Sequence, residues 1–138
     1  MQEEVRVWIN GAFDVLHIGH IRLLEYGASL GKVRVGLDED ERLRQNKGQN
    51  RPFNNLQDRI DFISSIKYIN STVTFNSDEE LIERIKEYQP HIMVIGDDYK
   101  YRRIIGVEYI PKVIFFDKIK SKSTTTILNY EKDISNRG

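Results

Sequence analysis

Short apolar runs alternate with helical patterns along nearly the whole chain, and that alternation constrains the fold more than any other feature. Val5 to Ile9 reads as a strand. Ile18 to Leu30 follows with Ile18, Ile21, Leu24 and Ala28 at helical spacing, and Gly31 is placed to stop that helix. Val33 to Leu37 is the next strand, and a polar stretch from Asp38 to Asn55 comes after it. Leu56 to Ile66 carries Leu56, Ile60 and Ile63 on one helical face, and Thr72 to Phe75 is a short strand. Ser77 to Glu80 forms a capping box, opening a helix with Leu81, Ile82, Ile85 and Tyr88 inward and Pro90 at its end. Ile92 to Ile95 is apolar throughout, as a strand covered on both faces must be. Lys112 to Phe116 reads as a last strand and Ser123 to Tyr130 as a last helix. The pattern predicts one α/β domain over residues 1–138, an open parallel sheet of about five strands with helices on both faces.

In such sheets ligands bind beyond the carboxyl ends of the strands. The segments there are Asn10 to Asp14, Asp38 onward, Asn76 to Asp78, Gly96 to Tyr99 and Asp117 to Thr125, all polar or glycine-containing. Composition narrows what they do. Lys plus Arg (21) equals Asp plus Glu (21), which argues against a general nucleic-acid binder. The absence of cysteine excludes disulfides, thiolate catalysis and Cys-based zinc sites. No apolar stretch nears the roughly 20 residues of a membrane span, and the acidic start, Met1-Gln2-Glu3-Glu4, does not read as a signal peptide. A cytoplasmic location is expected.

The most informative segment runs from Asn10 to His20: Asn10-Gly11-Ala12-Phe13-Asp14-Val15-Leu16-His17-Ile18-Gly19-His20. Gly11 lets the chain turn after the strand. His17 and His20, three apart, share one face at a helix start, and Gly19 leaves the backbone open to a ligand. Helix N-terminal N–H groups and two imidazoles suit phosphate oxygens. A phosphate nucleophile is already ionised, so such a site needs no general base; it positions the reactants and stabilises charge on the departing pyrophosphate. Spacing alone leaves other roles open: surface or core histidines, or helical metal ligands, although the third histidine, His91, precedes a different strand.

The H-x-G-H element after a G-x-F-D turn resembles the signature of the cytidylyltransferase-like nucleotidyltransferases. The resemblance spans about residues 5 to 130 and implies a Rossmann-like fold and attack on the α-phosphate of CTP or ATP. It implies catalytic roles for His17 and His20, and nucleotide contacts from Asn10, Gly11, Ala12, Phe13, Asp14 and Gly19. Lys47-Gly48-Gln49-Asn50-Arg51-Pro52-Phe53-Asn54, followed by Arg59, resembles the K-G-x-x-R-P-x-N…R run of bacterial heptose-1-phosphate adenylyltransferases. That resemblance implies phosphate contacts from Lys47 and Arg59. A surface Arg59 paired with Asp58 or a Glu is the plainer reading of the helix alone. Gly96-Asp97-Asp98-Tyr99-Lys100 is similar to G-D-D-W in glycerol-3-phosphate cytidylyltransferases and to G-G-D-Y-K in the heptose enzymes. It implies nucleotide contacts from Gly96 and Asp97, and acceptor contacts from Asp98 and Tyr99, joined by Asp14 and Lys47. Ser123-Thr124-Thr125 resembles the family's S-T-T element, which grips the β- and γ-phosphates; Ser123 also reads as a plain N-cap.

The chain departs from the family at two places. Ala12 replaces the Thr of G-T-F-D, and Lys118-Ile119-Lys120-Ser121-Lys122 replaces the glycine-containing segment before S-T-T. Taken together, the motifs favour a heptose-1-phosphate-type adenylyltransferase that transfers a nucleoside monophosphate from ATP and releases pyrophosphate. A glycerol-3-phosphate cytidylyltransferase using CTP is the close alternative, favoured by Asp97-Asp98. An FMN adenylyltransferase shares the first motif, and a non-catalytic nucleotide-binding module is the reading from another class. With no dedicated metal-ligating set, Mg²⁺ is expected to arrive with the NTP. The resemblance also implies a homodimer.

Overall fold

A computed structural model describes residues 4–97, 103–120 and 122–127. Its elements are β1 (Arg6–Gly11), α1 (Ile18–Leu30), β2 (Lys32–Asp38), α2 (Asp40–Lys47), α3 (Leu56–Ser64), β3 (Ser71–Phe75), α4 (Asp78–Tyr88), β4 (Ile92–Gly96), a 3₁₀ turn (Val107–Tyr109), β5 (Lys112–Asp117) and β6 (Lys122–Ile127). They form one six-stranded sheet in the order β3-β2-β1-β4-β5-β6. The first five strands in sequence pair in parallel, and β6 runs antiparallel to β5. The chain steps outward from β1 to β2 and β3, then returns to lay β4 on the other side of β1. That reversal opens a crevice at the carboxyl end of β1.

Alternation along each strand explains why both faces are covered. Val7, Ile9, Val94, Ile114 and Phe116 face a core shared with Leu23 and Leu24 of α1 and Ile63 of α3. Their neighbours Trp8, Met93, Val113 and Phe115 face the opposite core, built with Leu81, Ile85 and Tyr88 of α4. Each such buried side chain contributes roughly 1.5–3 kcal/mol of apolar transfer.

Several elements differ from the sequence reading. The buried side of α1 is Gly19, Leu23, Leu24 and Gly27, whereas Ile18 is 66% exposed. Gly31 does end α1, but in an extended conformation; a Cβ there would strike the Val5 carbonyl, so close approach of the backbone is what requires glycine. Ser77 caps α4 by accepting from the Glu80 N–H at 3.1 Å, while the Glu80 carboxylate turns to Arg84 instead of closing the box. The polar stretch after β2 contains a helix, α2, whose one apolar anchor is the buried Leu43. The final helix expected at Ser123–Tyr130 is corrected: residues 122–127 are strand β6, and 128–130 lie outside the described residues. Three successive β-branched threonines favour an extended chain, and β5 supplies the partner, setting Ser123 opposite Phe116 and Thr124 opposite Phe115. Ser123 is therefore no helix cap.

Candidate active site

The carboxyl ends of β1, β2 and β4 open onto a cavity of about 650 Å³. Its floor is the turn after β1. Phe13 takes φ 49°, a left-handed conformation that costs a bulky side chain roughly 1–2 kcal/mol. Its buried ring lies 5.6 Å from that of His20, and the turn carries the chain into α1. Here a histidine takes the place usually held by Ser, Thr, Asp or Asn. His17 is the N-cap, its Nδ1 accepting from the Gly19 N–H at 3.0 Å. His20 reciprocates, its Nδ1 accepting from the His17 N–H at 3.1 Å. The two rings are 4.0 Å apart. An imidazole nitrogen that accepts a hydrogen bond carries no proton, so these contacts favour the tautomer of each ring with its proton on Nε2. Two N–H donors thus stand at the positive end of a 13-residue helix. Gly19 is fixed by the same packing: a Cβ would come within 2.7 Å of the His17 ring and 3.0 Å of Lys118.

The cavity has two sides. Toward β4 and β5 it is lined by Ile95, Gly96 and Lys118, and toward β2 by Asp38, Leu43, Asn46, Lys47 and Arg51. Asn10, Gly11, Ala12, Phe13, Asp14, His17, His20, Lys47 and Gly96, all picked out from the sequence, meet at this cavity. Asp97 is exposed just beyond Gly96. Ser123 and Thr124 are exposed on β6 and absent from the cavity lining. The Thr125 side chain, Asp98 and Tyr99 lie outside the described residues.

Asp14 and Arg59 hold positions that the sequence did not indicate. The Asp14 carboxylate is buried, accepting from the N–H groups of Phe53 and Asn54 at 2.7 Å each and from Arg51 Nε at 3.1 Å. Burial alone would raise its pKa, but these donors together outweigh it and hold the group below the usual carboxylate value. Asp14 therefore fastens the 51–54 loop over the β1 turn. Arg59, read from the sequence as a phosphate contact, is fully buried and absent from the cavity lining. Its Nε donates to Asn54 O, its Nη1 to Ala12 O and Asp38 O, and its Nη2 to Asp40 Oδ1 at 2.7 Å. It clamps the β1 turn, the end of β2, the start of α2 and the 51–54 loop together.

Asp38, Asn46 and Arg51 are cavity residues that the sequence reading did not name as site residues. Asp38 ends β2, and Arg51 stands in the K-G-x-x-R-P run, so position after a strand and position within a motif were the available signals. Burial raises the Asp38 pKa above the ordinary value, despite Arg42 Nε at 3.0 Å and the charges of Lys47 and Arg59.

Comparison with known proteins agrees with this geometry. Residues 8–129 match the family described as cytidylyltransferase-like. The chain is 37% identical over 124 residues to the bifunctional protein HldE of Campylobacter fetus subsp. fetus, covering 89% of this chain and 27% of that protein. It is 37% identical over 123 residues to HldE of Helicobacter hepaticus, covering 88% and 25%. The chain thus spans about a quarter of the length of these relatives. Among solved structures, a lipopolysaccharide core biosynthesis protein from Thermoplasma volcanium superposes with a TM-score of 0.64 at 29% identity, over 72% of this chain and 80% of that one.

Proposed function

The chain belongs to the cytidylyltransferase-like family of nucleotidyltransferases, and from that premise we propose that it transfers AMP from ATP to a phosphorylated sugar of the heptose-1-phosphate type. An oxygen of the acceptor's phosphate monoester attacks the α-phosphorus of ATP. The bond from that phosphorus to the bridging oxygen breaks, and pyrophosphate leaves with the electron pair. No proton has to be removed from the nucleophile, so the chain's task is alignment and charge stabilisation.

The observation that carries this reading is the pair of backbone-capped histidines. Because the Gly19 N–H occupies His17 Nδ1, the His17 Nε2–H is the ring donor that remains for phosphate oxygens, and His20, tied through its Nδ1 to the His17 N–H, stands beside it at the cavity. Lys118 adds charge from the β5 side and Lys47 from the end of α2. The nucleotide occupies the β4 side, against Gly96 and Asp97, and the acceptor the β2 side. The heptose-type acceptor rests on the Lys47–Asn54 run and on relatedness to the adenylyltransferase domain of the HldE proteins. The Asp97-Asp98 pair is the observation favouring CTP and glycerol 3-phosphate.

Mg²⁺ supplies further neutralisation of the triphosphate when bound, held by phosphate oxygens and water. The donor set suits that mode: the two carboxylates that line the cavity are already engaged, Asp14 by the 51–54 loop and Asp38 by Arg42 Nε at 3.0 Å. Complete loss of turnover in excess EDTA is expected. A homodimer is the assembly we propose, and a monomeric mass by sedimentation at micromolar concentration would remove it.

The deciding assay is pyrophosphate release with ATP or CTP against heptose 1-phosphate and glycerol 3-phosphate. Turnover of heptose 1-phosphate with ATP is expected. CTP-dependent turnover of glycerol 3-phosphate alone would replace this acceptor and nucleotide with the cytidylyltransferase pair.

A further inference from the structure

We propose that Arg51 is the residue that selects the acceptor, gripping its phosphate with a guanidinium fork that the protein itself leaves unused. This rests on the transferase reading above. Arg51 lines the cavity on the β2 side, with its side chain 31% exposed. One edge of the guanidinium is anchored, with Nε donating to Asp14 Oδ2 at 3.1 Å. Its central carbon, Cζ, lies over the Phe53 ring, 4.7 Å from the centroid. Asp14 is itself immobilised by the Phe53 and Asn54 N–H groups. The side chain is therefore anchored at its inner edge and in contact with an aromatic ring. Its two Nη groups make no hydrogen bond to the described residues. A planar, pre-oriented pair of donors of this kind matches two oxygens of a phosphate.

Position decides which phosphate. The capped histidines and Lys118 serve the α1 start and the β5 side, whereas Arg51 stands with Lys47, Asn46 and Asp38 on the β2 side. That group combines two cations with a carboxylate and an amide. A phosphate attached to a hydroxylated carbon skeleton can use all four: the cations on the phosphate, Asp38 and Asn46 on the hydroxyls. The tail of a triphosphate offers the carboxylate nothing to accept. Fixed on Asp14, the fork also sets the direction from which the acceptor oxygen approaches the α-phosphorus.

Two variants and two readouts test this. Arg51→Gln removes the fork, and Arg51→Lys keeps a cation beside Asp14 without it. At saturating ATP, Arg51→Gln is expected to raise the KM for heptose 1-phosphate about 10- to 100-fold, the scale of a charged hydrogen-bonded contact. The KM for ATP should stay within about 2-fold, since this contact is absent from the nucleotide half, and Arg51→Lys should fall between. The second readout needs no turnover: calorimetric titration of inorganic phosphate into protein saturated with α,β-methylene-ATP and Mg²⁺. The wild type should bind phosphate, and Arg51→Gln should weaken that binding by a similar factor. Equal phosphate affinity in wild type and Arg51→Gln, no phosphate binding by the wild type, or a rise in the KM for ATP equal to that for the acceptor would overturn the assignment. Failure of the transferase reading looks different: phosphate binding that depends on Arg51, with no pyrophosphate released from any nucleotide and acceptor.

Discussion

Replacing Arg59 separates two roles that its place in the motif leaves mixed. In the structure its donors serve three backbone carbonyls, of Ala12, Asp38 and Asn54, and the Asp40 carboxylate, at 2.7 to 3.1 Å and with no exposure. Arg59→Met keeps most of the volume and removes every donor. Breaking one buried ion pair costs about 3–5 kcal/mol, and each carbonyl left dry adds roughly 1 kcal/mol or more unless water reaches it. Asp40 is 31% exposed and can be rehydrated, so a total near 4 kcal/mol is reasonable. At this chain length each kcal/mol shifts Tm by roughly 3–4 °C, which gives a fall of about 12–16 °C. Thermal unfolding followed by circular dichroism measures it, and turnover is then compared at a temperature where both proteins are folded. The clamp predicts that the folded variant keeps its KM for ATP, with losses tied to disorder of the 51–54 loop. A Tm within about 3 °C of wild type together with a 100-fold loss of kcat would refute the reasoning, because Arg59 would then be reaching substrate.

Three further outcomes follow from the same contacts. His17→Ala and His20→Ala should each lower kcat about 10²–10³-fold, the scale for one oxyanion donor; a change confined to KM, measured by steady-state kinetics, would contradict the role given to Nε2. Asp14→Asn should destabilise at neutral pH: the depressed folded-state pKa of Asp14 adds stability above the unfolded value, and that stability is lost as pH falls through the folded one. Asp38→Asn should do the reverse, raising Tm at pH 7. A carboxylate whose folded pKa is raised weakens the fold progressively as pH rises from its unfolded value through the folded one, so Tm differences recorded from pH 7 downward should shrink for both variants.

Local periodicity made the parallel sheet legible, because helix and strand periods differ and each run stands between polar turns. It failed where the deciding partner is remote. Ser123-Thr124-Thr125 resembles a helix start in family motif and capping residue, but β5 is an edge available for pairing, and the threonines extend along it. Nothing within the segment announces that edge. Arg59 sits beside Asp58 on a helix that reads as half-exposed, yet its partners Asp40, Asp38 and Ala12 are 19, 21 and 47 residues away. The histidine spacing placed both rings on one face; only the cap geometry determines which nitrogen of each ring is spent on the backbone.

Around the cavity, polar groups divide by whether their hydrogen-bonding capacity is spent inside the protein. Asp14 and Arg59 are buried and saturated, and Asn10 accepts from Trp8 Nε1 at 2.8 Å. These groups fix the β1 turn against β2 and the 51–54 loop, and they can do so with no ligand present. The Nη groups of Arg51 and the Lys47 ammonium carry charge toward the cavity without a hydrogen bond to the described residues. Groups of the second kind weaken the empty fold and gain their partners only when a ligand arrives. The strained Phe13 turn belongs with them, since it holds the start of α1 open to the cavity. On this division the saturated set is the scaffold and the unsatisfied set is the binding surface. Substitutions in the first should therefore appear in Tm before kinetics, and substitutions in the second in kinetics with little loss, or even a gain, of stability.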